Sequence, residues 1–124
     1  MSIARSLVVV LAIVEGCWMT FDGTRALAVG DYVTARTGSH AGQLGPWHHI
    51  VSTVGIAPRS TAMKLIFVSY GVGWLVIAFG FVRGVSWAGV AAMGGAIATL
   101  WYLPIGTLCS LIQIASLLWL RRAA

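Results

Sequence analysis

The stretch Val85–Leu120, "VSWAGVAAMGGAIATLWYLPIGTLCSLIQIASLLWL", runs for 36 residues without one charged side chain. As a single straight helix it would be ~54 Å long, against ~30 Å of bilayer hydrocarbon. It therefore has to break. "WYLPIG", Trp101–Gly106, supplies the break. Pro104 suits the first turn of a new helix, and Trp101 and Tyr102 are residue types that sit at a membrane–water interface. Two spans joined by a tight turn, 85–103 and 104–120, are expected.

Two more apolar runs, 3–21 and 62–82, lie upstream, so that all four have 17 to 21 residues. Each matches the ~20 residues a helix needs to cross a bilayer. Composition agrees. The 124 residues are 59% hydrophobic and only 9% charged, with a mean hydropathy of +0.90, where a soluble domain carries about 25% charged residues. The expected fold is all-α: one polytopic membrane domain, a four-transmembrane-helix bundle with a long extracytoplasmic loop, 22–60.

The first run also has the outline of a signal peptide, Arg5 followed by Ser6–Val14 and "VEGC" ending at Cys17. Glu15 beside the cleavage point departs from the small residues such a site requires, so the run is expected to stay as a span. The net charge of +5 comes from eight cations against three acids. The cations sit mostly at the ends of apolar runs, where they meet lipid headgroups, and form no basic stripe. Membrane lipids are therefore expected partners and nucleic acid is not. Arg5, Arg83, Arg121 and Arg122 are packed into short tails and one turn. Arg25, Arg36, Arg59 and Lys64 are spread over the loop and its flanks. That contrast points to cytoplasmic termini in a bacterial-type cytoplasmic membrane.

Within the loop, Asp22 is expected to cap a short helix over 23–29, stopped by Gly30. A second helix is expected over 46–54, opened by Pro46 and closed by Gly55. Trp47, Ile50, Val51 and Val54 recur at helical spacing and would form its apolar face, lying at the interface or capping the bundle. His48, His49, Ser52 and Thr53 take the other face. The two histidines are about 100° apart on the wheel, so one helix cannot aim both at a metal; a site would need His40 or an acid from elsewhere. No metal or cofactor is indicated.

Inside the spans, Glu15 is the most informative residue. It lies ~9 Å below the loop-side end of the first run, and an acid at that depth faces a partner, water or the bundle interior. By the same rise, Thr99 lies at ~6 Å, Cys109 at ~8 Å, Ser69 and Tyr70 at ~10 and ~12 Å, and Gln113 at ~14 Å. Polar side chains thus gather under the loop, which predicts a pocket with Glu15, Tyr70, Gln113, Ser69, Trp74, His48 and His49 as candidate ligand or proton contacts. The competing reading is that Glu15, Tyr70 and Gln113 bond to one another as interhelical glue. Cys17 and Cys109, at similar depth, form a candidate thiol pair if the first and last spans touch.

Small residues mark packing faces: Gly80 and Gly84, then Ala88, Ala92 and Ala96 beside Ala91, Gly95 and Thr99. The third span is expected to be central, in the bundle or in a homo-oligomer or hetero-complex built through this face. Three functions fit. The first is a bundle binding a partner protein or a small or lipidic ligand in an outward pocket, for example an accessory subunit of a membrane complex. The second is a homo-oligomeric, proton-coupled transporter or channel with Glu15 as the coupling acid. The third is a membrane enzyme using Glu15, Tyr70, His48 and His49. The scarcity of polar groups in the other half of the spans favours the first over transport. The lack of a nucleophile or metal set leaves no catalytic residue assigned.

Overall fold

The computed structural model describes residues 2–34, 44–102 and 105–123. Among them are five α-helices and no strand: α1 (Ile3–Val29), α2 (Trp47–Thr53), α3 (Thr61–Arg83), α4 (Ala88–Ala98) and α5 (Ile105–Ala123). Leu103 and Pro104, the predicted turn, and Arg36 and His40 lie outside the described residues.

Two helices, α1 and α3, are long and apolar enough to cross a membrane. Only 33% of the most apolar window of each is buried, whereas the core helix of a soluble protein is mostly buried. They pair along most of their length. Gly16, Thr20 and Gly23 of α1 meet Gly71 and its neighbours on α3 with almost no space between backbones. A Cβ on Gly16 would stand 2.9 Å from the Gly71 carbonyl, and one on Gly23 would stand 2.9 Å from the Val68 nitrogen. A Cβ on Gly71 would collide with the backbone and hydroxyl of Thr20. This seam, not the third run, is where close approach is tightest.

The helix bounds depart from expectation in two places. The chain does not stop at Phe21 and restart at 23: α1 continues unbroken to Val29. Nothing between 22 and 29 breaks a helix except Gly23, at a cost of about 1 kcal/mol, and Gly23 is packed against Phe67 and Val68. Gly30 ends the helix in the left-handed region, φ 99°, its N–H bonded to Ala26 O. Asp22, instead of capping a first turn, is buried and accepts from the Val33 N–H at 2.6 Å, folding the chain back over the helix.

The third run is helical only over α4, whose 11 residues span ~16 Å, half the hydrocarbon thickness. At its start, Gly84 takes φ 72° and Val85 N–H bonds Gly80 O, so α3's cap consumes the residues that would have begun the next helix. At its end, Thr99 Oγ1 donates to Gly95 O at 2.7 Å. The bonds that follow close three residues back rather than four, tightening the chain into a turn. Gly80 and Gly84 therefore do not form a helix-packing motif. Gly84 is a cap, and Gly80 seats the Trp87 indole, which would lie 2.7 Å from a Cβ there.

Three buried clusters stack along the bundle. At the loop end, Met19, Tyr32, Trp47, Val51, Phe67 and Tyr102 enclose an aromatic core. Ala12, Trp74, Ala78 and Ala96 fill the middle. Val8, Val9, Phe81, Ala88, Ala92 and Leu117 close the end that carries the termini. Ala88, Ala92 and Ala96 are thus all covered from within the chain, and Gly95 lies against Trp74 and Ile77.

Helix α5 is inside-out by the standards of a soluble protein. Its buried face carries Ser110 and Gln113, fully buried, and Ser116 at 7% exposure, beside Cys109 and Leu117. Its outer face is Leu108, Leu111, Leu118 and Trp119, at 48 to 67% exposure. In water that arrangement would leave apolar area exposed; in hydrocarbon the outer face carries no such cost and the polar side chains are turned away from lipid.

Candidate functional site

Glu15 is turned about 100° from Gly16 and the α1–α3 seam, and shares a face of α1 with Val8, seven residues earlier, which packs with Leu117 of α5. It is 2% exposed. Among the described residues, neither carboxylate oxygen has a hydrogen-bond partner. The carboxylate lies within electrostatic reach of Cys109 and Tyr102. On α5, Ser110 Oγ and Gln113 Oε1 are also buried without partners; Thr20 Oγ1, likewise unpaired, lies in the α1–α3 seam instead. Gln113 Nε2 makes one long bond, 3.4 Å, to Val8 O. Beside the Glu15 carboxyl, the interior on the α5 side of α1 thus holds the unpaired Gln113 carbonyl and the unpaired Ser110 hydroxyl, which can donate as well as accept. Natural proteins seldom leave such groups unpaired, and each carries a desolvation cost of about 1–3 kcal/mol.

The remaining candidates are placed elsewhere. Tyr70 Oη donates to Ala98 O at 2.6 Å and accepts from Trp101 Nε1 at 3.1 Å. Trp74 Nε1 donates to Thr99 Oγ1 at 3.2 Å. With Ser69 these two line a groove of about 300 Å³ between α3 and α4. Hydrogen bonds among Glu15, Tyr70 and Gln113 are not formed. Depth along a helix is a matter of rise alone, whereas contact also requires the right azimuth: Glu15 is turned to α5 and Tyr70 to α4.

The histidines belong to a third place. Trp47 and Val51 of α2 enter the aromatic core, while Ile50 and Val54 remain exposed. Helix α2 thus caps the loop end by one inserted indole, edge-on to Tyr32 with ring centroids 5.5 Å apart. His48 Nδ1 faces Gly45 O at 2.6 Å, which places the ring proton on Nδ1. The His48 and His49 rings lie against each other, centroids 3.9 Å apart. Among the described residues no three His, Cys, Asp or Glu side chains come together. Cys17 is exposed and Cys109 buried, and both are free thiols.

Cations at the loop end are engaged by the chain just past α1. Arg25 Nη1 donates to Asp31 O at 2.8 Å and Lys64 Nζ to Gly30 O at 2.9 Å. Arg25, the sequence neighbour best placed to neutralise Glu15, is thus committed elsewhere. Arg59 pairs with Asp31 at 3.0 Å. Partial burial alone would raise the Asp31 carboxyl, but the bonds from Arg59 and the Tyr32 N–H hold it below the ordinary aspartate range. Burial, reinforced by the charges of Asp22 and Asp31, pushes the Tyr32 phenol well above its usual value.

Sequence reading missed Ser110, Ser116 and the glycine seam. Ser110, Gln113 and Ser116 recur every three residues within an apolar run, a polar stripe visible in the letters once helical spacing is applied to hydrophilic residues. No protein family, characterised protein or solved structure matches this chain; its function has to be read from the geometry above.

Proposed function

We propose that the chain is an integral membrane protein of four apolar segments that holds a small, donor-rich ligand between α1 and α5, with Glu15 as its anchor. The observation that carries the reading is the fully buried Glu15 carboxylate with no donor among the described residues, set beside the unpaired Gln113 carbonyl and Ser110 hydroxyl. Such a site suits an ammonium group, a hydrated cation or a proton. A partner helix cannot reach Glu15 unless α1 and α5 separate, which argues for a small ligand over a partner protein. The inside-out α5 and the exposed apolar faces of α1 and α3 support the membrane setting. In this reading α4 is a short segment seated between full-length neighbours, and the Arg5, Arg83, Arg121 and Arg122 end faces the cytoplasm.

A second reading uses the same acid as a proton-exchange group in transport, favoured by its depth and enclosure. One set of experiments separates them. Protein in lipid nanodiscs is titrated with alkylammonium ions and with acid, following the carboxyl band by difference infrared spectroscopy, in wild type and Glu15→Gln. Ligand binding predicts a Glu15-dependent change with ammonium at constant pH. Proton exchange predicts a response to pH alone and Glu15-dependent proton flux in proteoliposomes. A carboxyl band indifferent to both overturns the proposal.

A further inference from the structure

We infer that the groove at the terminus end of the bundle is a site for one anionic phospholipid, its phosphate on Arg5 and Arg121 and an acyl chain laid along α4. The inference rests on the membrane setting proposed above. The groove encloses about 750 Å³ and is walled by Val90, Met93 and Ile97 of α4 and by Leu117 and Leu120 of α5. From Ser86 to Ile97 it follows α4 for ~16 Å, the reach of an extended acyl chain rather than of a compact solute.

Its charge is one-sided. Arg5 and Arg121 line it and no acid does. The chain's three acids are Glu15, Asp22 and Asp31; the nearest to Arg5 along α1, Glu15, is ~15 Å further up the helix. Arg5 is held in place by one bond from Nη2 to Phe81 O, 2.9 Å, and by the Phe81 ring 4.7 Å beneath its guanidinium. A guanidinium has five N–H donors, so most remain for an oxyanion. Ser86, Ala88 and Gly89, at the start of α4, also line the groove. That helix begins with no side-chain cap and no acid in its first turn, so its positive end adds to the attraction for a phosphate. Cationic mouth and apolar trough together match an amphiphile with an anionic head.

The test reconstitutes the full chain in vesicles of phosphatidylcholine with a minority of phosphatidylglycerol, then reads retained lipid by native mass spectrometry. One phosphatidylglycerol is expected to be retained above its bilayer proportion, by about fivefold for each arginine it meets. Arg121→Gln should lower that enrichment about fivefold. Gly94→Phe should abolish it by filling the trough, since a Cβ there meets nothing within 4 Å. Lys64→Gln, at the other end, should leave it unchanged. Retention at bilayer proportion in the wild type, equal loss in Lys64→Gln, or displacement by inorganic phosphate overturns the inference. A chain that fails to enter vesicles of either composition overturns the membrane setting instead.

Discussion

Helix α1 has two working faces, and they are built on opposite principles. Toward α3, Gly16, Thr20 and Gly23 remove side-chain bulk, so two backbones close on each other and the seam holds little but van der Waals contact. Toward α5, Glu15, Ser110 and Gln113 place polar atoms where neither water nor a donor from the described residues reaches them. The first face gains stability from closeness. The second gives stability up, since each of these buried groups carries an uncompensated desolvation cost.

The largest effect should come from breaking the closed face. Gly71→Leu forces a Cβ into the Thr20 backbone, where no rotamer offers relief, and is expected to cost more than about 4 kcal/mol or to prevent folding. Gly73→Leu, on the same helix with nothing within 4 Å of its Cβ, should stay within about 0.5 kcal/mol of wild type. Unfolding in mixed micelles followed by circular dichroism measures both. Equal losses would mean that the seam is not closed.

Next comes the aromatic core beneath α2. Trp47→Ala removes the only large side chain by which α2 enters that core among the described residues, and is expected to cost about 3–5 kcal/mol. Hydrogen exchange should show the α2 amides losing protection before those of α1 and α3.

The contrast is sharpened by paired polar deletions of similar size. Thr99→Val takes a hydroxyl that both donates to Gly95 O and accepts from Trp74 Nε1, and should destabilise by about 1–2 kcal/mol. Ser110→Ala takes a hydroxyl with no partner, and should be neutral or stabilising by up to about 1 kcal/mol. The same micelle titration reads both, and equal signs would erase the distinction between paired and unpaired buried hydroxyls.

How much of this was legible in the letters follows the same division. The all-helical nature and the capping by Gly30 come straight from composition and turn chemistry, whereas the depth of Glu15 rests on an expected helix end at Phe21 that α1 overruns to Val29. What escaped was azimuth. Glu15 and Tyr70 share a depth but face different helices, and no single helix wheel reveals which neighbour stands where. The shortness of α4 escaped for a related reason. Its flanking residues are apolar enough to span, but Val85 is consumed by the cap of α3 and Thr99 is tied back to Gly95. The closed seam was legible in part, since Gly16, Thr20 and Gly23 recur at i, i+4 and i+7 on one face of α1, but no single helix shows that Gly71 of α3 is the partner.

The smallest expected effect lies outside both faces, at the Asp31–Arg59 pair. The folded-state carboxyl of Asp31 is held below the ordinary aspartate range. Its contribution is therefore complete above that range and fades as pH falls through it and below. Both side chains are nearly half exposed, at 49% and 44%, so the pair should contribute under about 1 kcal/mol and less in high salt. Thermal midpoints of wild type and Asp31→Asn should differ slightly at pH 6 and converge in acid.

The most direct test of the account is the sign of one substitution, Glu15→Met, measured as unfolding free energy in micelles or bicelles. An acid without a protein donor predicts that the variant is more stable than wild type, by about 1–3 kcal/mol, while any response to ammonium or protons is lost. A variant destabilised by several kcal/mol would show that Glu15 holds the helices together through a partner, and the site between α1 and α5 would be structural.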